Sequence, residues 1–190
     1  MSKVLFLVFP GFSEFEITVA MALLRHRVQI DTMSLDGAAV VSEAGLQVMP
    51  STSVSAVAPG DYEALILPGG ENLSTVMDEQ RILDLIRVMD SGHRVIASIC
   101  AGGILLAKAG VLVGRPYTVS LSRRFRDQLG CFDERTFRNE PVVESGNLIT
   151  AQGFAFVEFG LRLADRLGAI TDREAVQAYY RGIGDIRWED

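Results

Sequence analysis

Residues 95–103 read Val95-Ile96-Ala97-Ser98-Ile99-Cys100-Ala101-Gly102-Gly103, an apolar, β-branched run that ends at a cysteine and two glycines. An apolar helical pattern follows from Ile104 to Ala109. A strand feeding a helix through so short a turn forces the turn residue into a strained backbone. Its side chain is pushed out at the carboxyl edge of the sheet, as in a nucleophile elbow. Open α/β sheets place their chemistry where strand ends face helix starts. Cys100 is therefore a candidate nucleophile or redox centre. An ordinary thiol, with a pKa of ~8.5, is only about 3% thiolate at pH 7. The N–H groups and dipole of a helix start favour the anion, and lowering the pKa by roughly 3 units needs about 4 kcal/mol. The plain alternative is a small buried residue filling a tight turn.

Pro68-Gly69-Gly70 closes another apolar run, Ala64–Leu67, and glycines there can bring backbone N–H groups close to a ligand, as an oxyanion pocket requires. Glu16 has two readings. In Ser13-Glu14-Phe15-Glu16 it fits a capping box, with Ser13 as N-cap and Glu16 at N3. It could also lie over the thiol, in which case it must be protonated, because an ionised carboxylate would raise the thiol pKa. The residue pattern alone favours the cap.

Histidine is scarce. The chain has two, His26 at a helix end and His93 in a polar turn, and both precede Cys100. A cysteine or serine hydrolase needs an oriented base, so peptidase or amidotransferase activity is disfavoured. Two Cys and two His with no ligand spacing argue against a metal. Without Gly-x-Gly-x-x-Gly or a P-loop, no nucleotide cofactor is expected either. Cys131, in Leu129-Gly130-Cys131-Phe132, reads as structural.

The elements that must position these residues follow from the apolar periodicity. Strands are expected at Val4–Phe9, Val28–Leu35, Ala64–Leu67, Val95–Ile99, Tyr117–Ser120, Pro141–Glu144 and Leu148–Ala151. A small hairpin is expected from Val40–Val41 and Leu46–Met49, and a second through Ser145-Gly146-Asn147. Helices are expected over Ser13–His26, Glu79–Asp90, Phe156–Leu167 and from Thr171 to Tyr180, the last opened by a Thr171–Glu174 capping box. Strands alternating with helices imply a parallel sheet covered on both faces. With 190 residues and no linker or repeat, one domain spanning 1–190 is expected.

The net charge of −6, without a basic run, argues against nucleic acid or an anionic membrane as partner. Arg123, Arg124 and Arg126 form the densest basic cluster, read as a solvated face or an anion contact. Val4–Phe9 is too short for a signal-peptide core or a membrane span, so a cytoplasmic protein with free thiols is expected.

At these residues the chain closely resembles the ThiJ/PfpI superfamily. The motifs are Gly11-Phe12-Ser13-Glu14-Phe15-Glu16, Leu65-Ile66-Leu67-Pro68-Gly69-Gly70 and Ala97-Ser98-Ile99-Cys100-Ala101-Gly102, with Asn147–Gly153 and Phe156–Phe159 also fitting. The resemblance implies a flavodoxin-like three-layer sandwich, a homodimer, and Cys100 as reactive cysteine with a protonated Glu16. Gly69, Gly70 and the Ala101 N–H would form the oxyanion pocket. Where one branch has a histidine directly after the cysteine, Ala101 stands here. Where another has one further along, Ser120 is nearest, a hydroxyl that can hydrogen-bond but cannot act as a base near pH 7. The functions implied are addition chemistry on small electrophiles, of glyoxalase, deglycase or isocyanide-hydratase type. The other reading is an oxidative-stress sensor in which Cys100 stops at the sulfinic acid.

Overall fold

The parallel sheet grows outward in both directions from the first strand. The computed structural model of the chain describes residues 2–182. In chain order it holds β1 (Lys3–Leu7), α1 (Phe15–Leu24), β2 (Gln29–Ser34), β3 (Val40–Val41), β4 (Gln47–Val48), β5 (Thr52–Ser53) and β6 (Ala64–Leu67). There follow α2 (Gln80–Ser91), β7 (Val95–Ile99), α3 (Gly103–Ala109), α4 (Arg123–Leu129), β8 (Val142–Ser145), β9 (Leu148–Ala151), α5 (Phe156–Arg166) and α6 (Arg173–Arg181). The seven-stranded sheet has the order β5-β2-β1-β6-β7-β9-β8, with β3 and β4 paired apart from it. All its pairings are parallel except β8 with β9.

Val4–Leu7, Ala64–Leu67 and Ile96–Ile99 are buried on successive residues because helices cover both faces of the sheet. α1 packs on α5, and α2 on α3. This is the flavodoxin-like α/β sandwich expected from the sequence. The chain winds one way from β1 to β2 and the other way from β1 to β6, so the topological switch point lies between β1 and β6. Register continues the argument: Leu67 lies opposite Ser98, and Ile99 opposite Ala151. The residues just past β6 and β9 must then flank Cys100.

Several local expectations are corrected. Tyr117–Ser120 is not a strand, and only an isolated bridge from Tyr117 to Phe137 forms. β9 already occupies the edge of β7, so Thr118 N–H bonds the Thr150 hydroxyl at 3.0 Å, and the Tyr117 ring stacks on Phe132. The Ser13–Glu16 capping box does not form: α1 starts after Glu14, without a side-chain cap. Ser13 donates to Glu43 and Glu16 turns to Gly69, because both polar groups have partners in the fold that a local box cannot match. The last helix is capped by Asp172, which accepts from Ala175 N–H at 3.0 Å, rather than by Thr171. Arg123–Arg126 is the start of α4, capped by Ser122 and closed at Gly130. Arg126 is not solvated but 5% exposed, in a two-pronged bond to Glu134 at 2.6 and 2.8 Å beneath the Phe137 ring.

One glycine sets how closely the elbow packs. A Cβ on Gly102 would lie 2.3 Å from the Leu67 carbonyl oxygen and 2.7 Å from that of Pro68, so α3 can start against the end of β6 only with glycine there. Gly102→Ala should therefore cost about 3 kcal/mol in urea denaturation, since the obstacle is backbone. Gly110→Ala serves as the contrast: its φ is 81° but nothing lies within 4 Å. It should cost only about 1 kcal/mol, the penalty for a left-handed non-glycine residue.

Candidate active site

Cys100 sits at the turn with φ 56°, and among the described residues only His93 shares a positive φ without being glycine. Such a backbone costs on the order of 1–3 kcal/mol and persists only where its surroundings hold it. Here β7 is gripped between β6 and β9, and one 3-10 turn, Cys100–Gly102, leads directly into α3. The strained elbow expected from the sequence is present.

Glu16 lies in the first turn of α1, 1% exposed. Its Oε2 accepts the Gly69 N–H at 2.7 Å, and its carboxyl is hydrogen-bonded to Cys100. Gly69, expected to turn its N–H toward a ligand, therefore spends that donor on Glu16. Its carbonyl accepts from Ser13 N–H at 3.0 Å, and Gly70 bridges to Phe12, so the end of β6 is laced to the segment before α1. Ser120 Oγ accepts the Gly153 N–H at 2.7 Å and is hydrogen-bonded to the Cys100 sulfur. A hydroxyl whose lone pair takes an N–H directs its own proton elsewhere, here toward the sulfur. The Ala101 N–H also reaches the Cys100 sulfur.

Gly153 escaped the sequence reading as a site residue. A Cβ there would lie 3.1 Å from the Cys100 Sγ and 3.2 Å from Glu16 Oε1; one on Gly69 would lie 2.8 Å from the Cys100 Cβ. The thiol thus occupies a slot walled by two glycines. The signal for Gly153 was its place just past Leu148–Ala151, but it becomes readable only once that strand is known to neighbour β7. Cavities of about 660 and 640 Å³ open elsewhere, one beside Phe154 and Tyr180 and one among Asp90, His93 and Arg115; Cys100 lines neither.

Burial is the main cause that raises the pKa of Glu16; the Glu43 charge adds to it, and the bonds to Cys100 and Gly69 oppose it. Cys100 is pushed up to about 12, by burial first, then by the charge and hydrogen bond of Glu16, against Ala101 and Ser120. That value belongs to a thiol facing a carboxylate. If the proton sits on Glu16 instead, the repulsion disappears and the carboxyl donates to sulfur. Two such groups titrate as a unit.

Both histidines are exposed and remote. His93 precedes β7 while Cys100 follows it, and the five residues of the strand at about 3.3 Å each, with Arg94 besides, separate them. His26 lies beyond the far end of α1, whose first turn carries Glu16. Cys131 packs against the rim of the core, and burial raises its pKa. Among the described residues no group of three or more His, Cys, Asp or Glu could hold a metal, and no helix is long and apolar enough to cross a membrane.

Comparison with known proteins gives one consistent result. A model of the DJ-1/PfpI family matches residues 2–166. The chain is 34% identical over 180 residues to protein dj-1beta of Drosophila melanogaster, covering 92% of each chain. It is 30% identical over 175 residues to an isonitrile hydratase of Pseudomonas putida, covering 90% of this chain and 75% of that one. A DJ-1 superfamily protein of Agrobacterium tumefaciens superposes with a TM-score of 0.86 at 26% identity, covering 96% of this chain and 99% of the other.

The raised thiol has a consequence for stability. An unfolded cysteine loses its proton near pH ~8.5, while the Cys100–Glu16 pair in the fold, whichever of the two carries it, holds its last proton toward about 12. A raised folded-state pKa contributes stability below the unfolded value and loses it as pH rises through the folded one. Wild type should therefore lose stability relative to Cys100→Ser between about pH 8.5 and 12, by at most about 1.4 kcal/mol per pH unit in paired denaturant titrations.

Proposed function

The chain belongs to the DJ-1/PfpI family, and from that membership and the site geometry we propose that it catalyses the net addition of water to small electrophilic carbons. Cys100 is the nucleophile and Glu16 the proton carrier. The observation that carries this reading is the hydrogen-bonded pair of a buried Glu16 and a half-buried Cys100, with no histidine in reach. A thiolate needs a proton acceptor to form, and Glu16 is the group placed to take it.

For a 2-oxoaldehyde, the sulfur attacks the aldehyde carbon and Glu16 gives its proton to the new alkoxide oxygen, forming a hemithioacetal. The Glu16 carboxylate then moves the proton from that carbon to the neighbouring carbonyl carbon, and the hemithioacetal hydroxyl proton passes to the neighbouring oxygen, which becomes the hydroxyl. The resulting thioester is cleaved by water to a 2-hydroxy acid, and the thiolate is released. The aldehyde carbon is oxidised and its neighbour reduced, so no external redox partner is needed. For an isocyanide, sulfur adds to the terminal carbon with proton delivery from Glu16, and water displaces the thiolate from the thioimidate to leave a formamide. The Gly70 and Ala101 N–H groups are the donors proposed to face the developing negative charge. Ser120 keeps its proton toward the sulfur and is not asked to act as a base. The slot between Gly69 and Gly153 favours small substrates.

The same donors around sulfur support a second reading, in which mild peroxide carries Cys100 to a sulfinate held by Glu16, Ala101 and Ser120. We also propose a homodimer: Phe15, Val41, Leu46 and Met49, on the start of α1 and the β3–β4 hairpin, are exposed apolar side chains suited to a second copy. Light scattering should report twice the chain mass of 20.7 kDa, and a monomer at micromolar concentration would refute the pairing.

Methylglyoxal should be converted to lactate, or an alkyl isocyanide to its formamide, without glutathione. Cys100→Ser should lower the rate at least about 10³-fold, and Glu16→Leu by about 10²–10⁴-fold. Glu16→Leu should also slow alkylation of Cys100 at pH 6–7, because the acid that holds the thiolate is gone. If Glu16 were ionised and suppressing the thiolate, the same variant would speed it. Turnover of neither substrate, with two oxygens gained on Cys100 alone after mild peroxide, would establish the sensor reading instead.

A further inference from the structure

Glu43 has no part in the chemistry above, yet the fold carries it to the foot of α1. It sits at the turn of the β3–β4 hairpin, where its N–H donates to the Phe12 carbonyl at 2.9 Å and its carboxylate accepts the Ser13 hydroxyl. Val41, in the same hairpin, accepts the Gly11 N–H at 2.8 Å. Ser13 stands between the two carboxyl groups. Its hydroxyl is bound to Glu43, its carbonyl accepts the Glu16 N–H at 3.3 Å, and its N–H donates to Gly69, whose own N–H holds Glu16. The hairpin thus delivers a negative charge to the Glu16 side of the pair, and that charge raises the Glu16 pKa.

We propose that Glu43 is a positioning residue whose carboxylate keeps the shared proton on Glu16 and so leaves the negative charge on the Cys100 sulfur, a role that rests on the acid–thiolate reading of the pair. The two forms of the pair, carboxylate with thiol and acid with thiolate, carry the same total charge and differ only in where it lies. A fixed anion nearer the carboxyl than the sulfur favours the second form. The titratable groups involved are Cys100 and Glu43, which face Glu16, and Glu14, which meets the hairpin through the Ala44 N–H at 3.4 Å. The Ser13 bond fixes the distance. An exposed glutamate without it would swing into solvent and be screened.

The test is the rate of iodoacetamide alkylation of Cys100 between pH 5 and 9 in the full chain. Glu43→Gln keeps an oxygen for Ser13 to bond and removes only the charge. It should lower the neutral-pH rate about three- to tenfold, with the difference largely abolished in ~1 M salt. Glu43→Asp should stay within about twofold of wild type, because the charge is retained. A Glu43→Gln rate equal to or above wild type, with wild-type Cys100 still far more reactive than Cys131 at pH 6, would overturn the role and leave Glu43 as a hairpin latch. If wild-type Cys100 reacts no faster than Cys131, the acid–thiolate reading itself fails, and the role of Glu43 with it.

Discussion

A buried carboxyl and a half-buried thiol set against each other disfavour being charged together, and this constraint organises the site. The neighbours of Glu16 and Cys100 differ in whether they favour charge on the oxygen or on the sulfur. The Gly69 N–H favours the oxygen; the Ala101 N–H and the Ser120 hydroxyl favour the sulfur. Burial penalises charge on either. Without a histidine to take up the proton, the proposed chemistry leaves the pair to act as its own acid and base. That suits addition and proton shuttling better than the activation of a peptide bond.

The fold makes the pair possible by stacking three strand ends. β1, β6 and β7 run parallel and adjacent, so the segments that leave them meet at one edge. The segment after β1 leads to Glu16, the one after β6 supplies Gly69, and β7 ends at Cys100. Parallel pairing of β7 with β9 then adds Gly153, and the segment before α4 adds Ser120. The strain at Cys100 is held by these packed neighbours, with Gly102 tight against Leu67. The slot is small because its walls are backbone.

The regular elements were legible where apolar runs were long and punctuated. Ala64–Leu67, Val95–Ile99 and Leu148–Ala151 lie where the pattern puts them, since burial on both faces demands uninterrupted apolar residues. Tyr117–Ser120 misled for a related reason: Tyr117, Thr118 and Val119 are buried, yet β9 already takes the edge of β7 beside them. α4 was hidden by its arginines, whose charge suggested solvent until Glu134 and Phe137 covered Arg126. Ser122 and Gly130 were the available signals at its two ends.

By itself the sequence determined that a cysteine would stand at a strained strand-to-helix turn, because a β-branched run meeting two glycines leaves the chain little other geometry. It also limited the histidines to two, both before Cys100, and the fold then set both apart from it. Only the tertiary structure decided what Ser13, Glu16 and Gly69 would do. Local spacing made Ser13 and Glu16 partners in a cap, whereas the fold gave each a partner distant in the chain, Glu43 and Gly69. Local periodicity reports which residues are buried. It does not report which buried polar groups will meet, because those meetings depend on strand order, and strand order is a property of the whole chain.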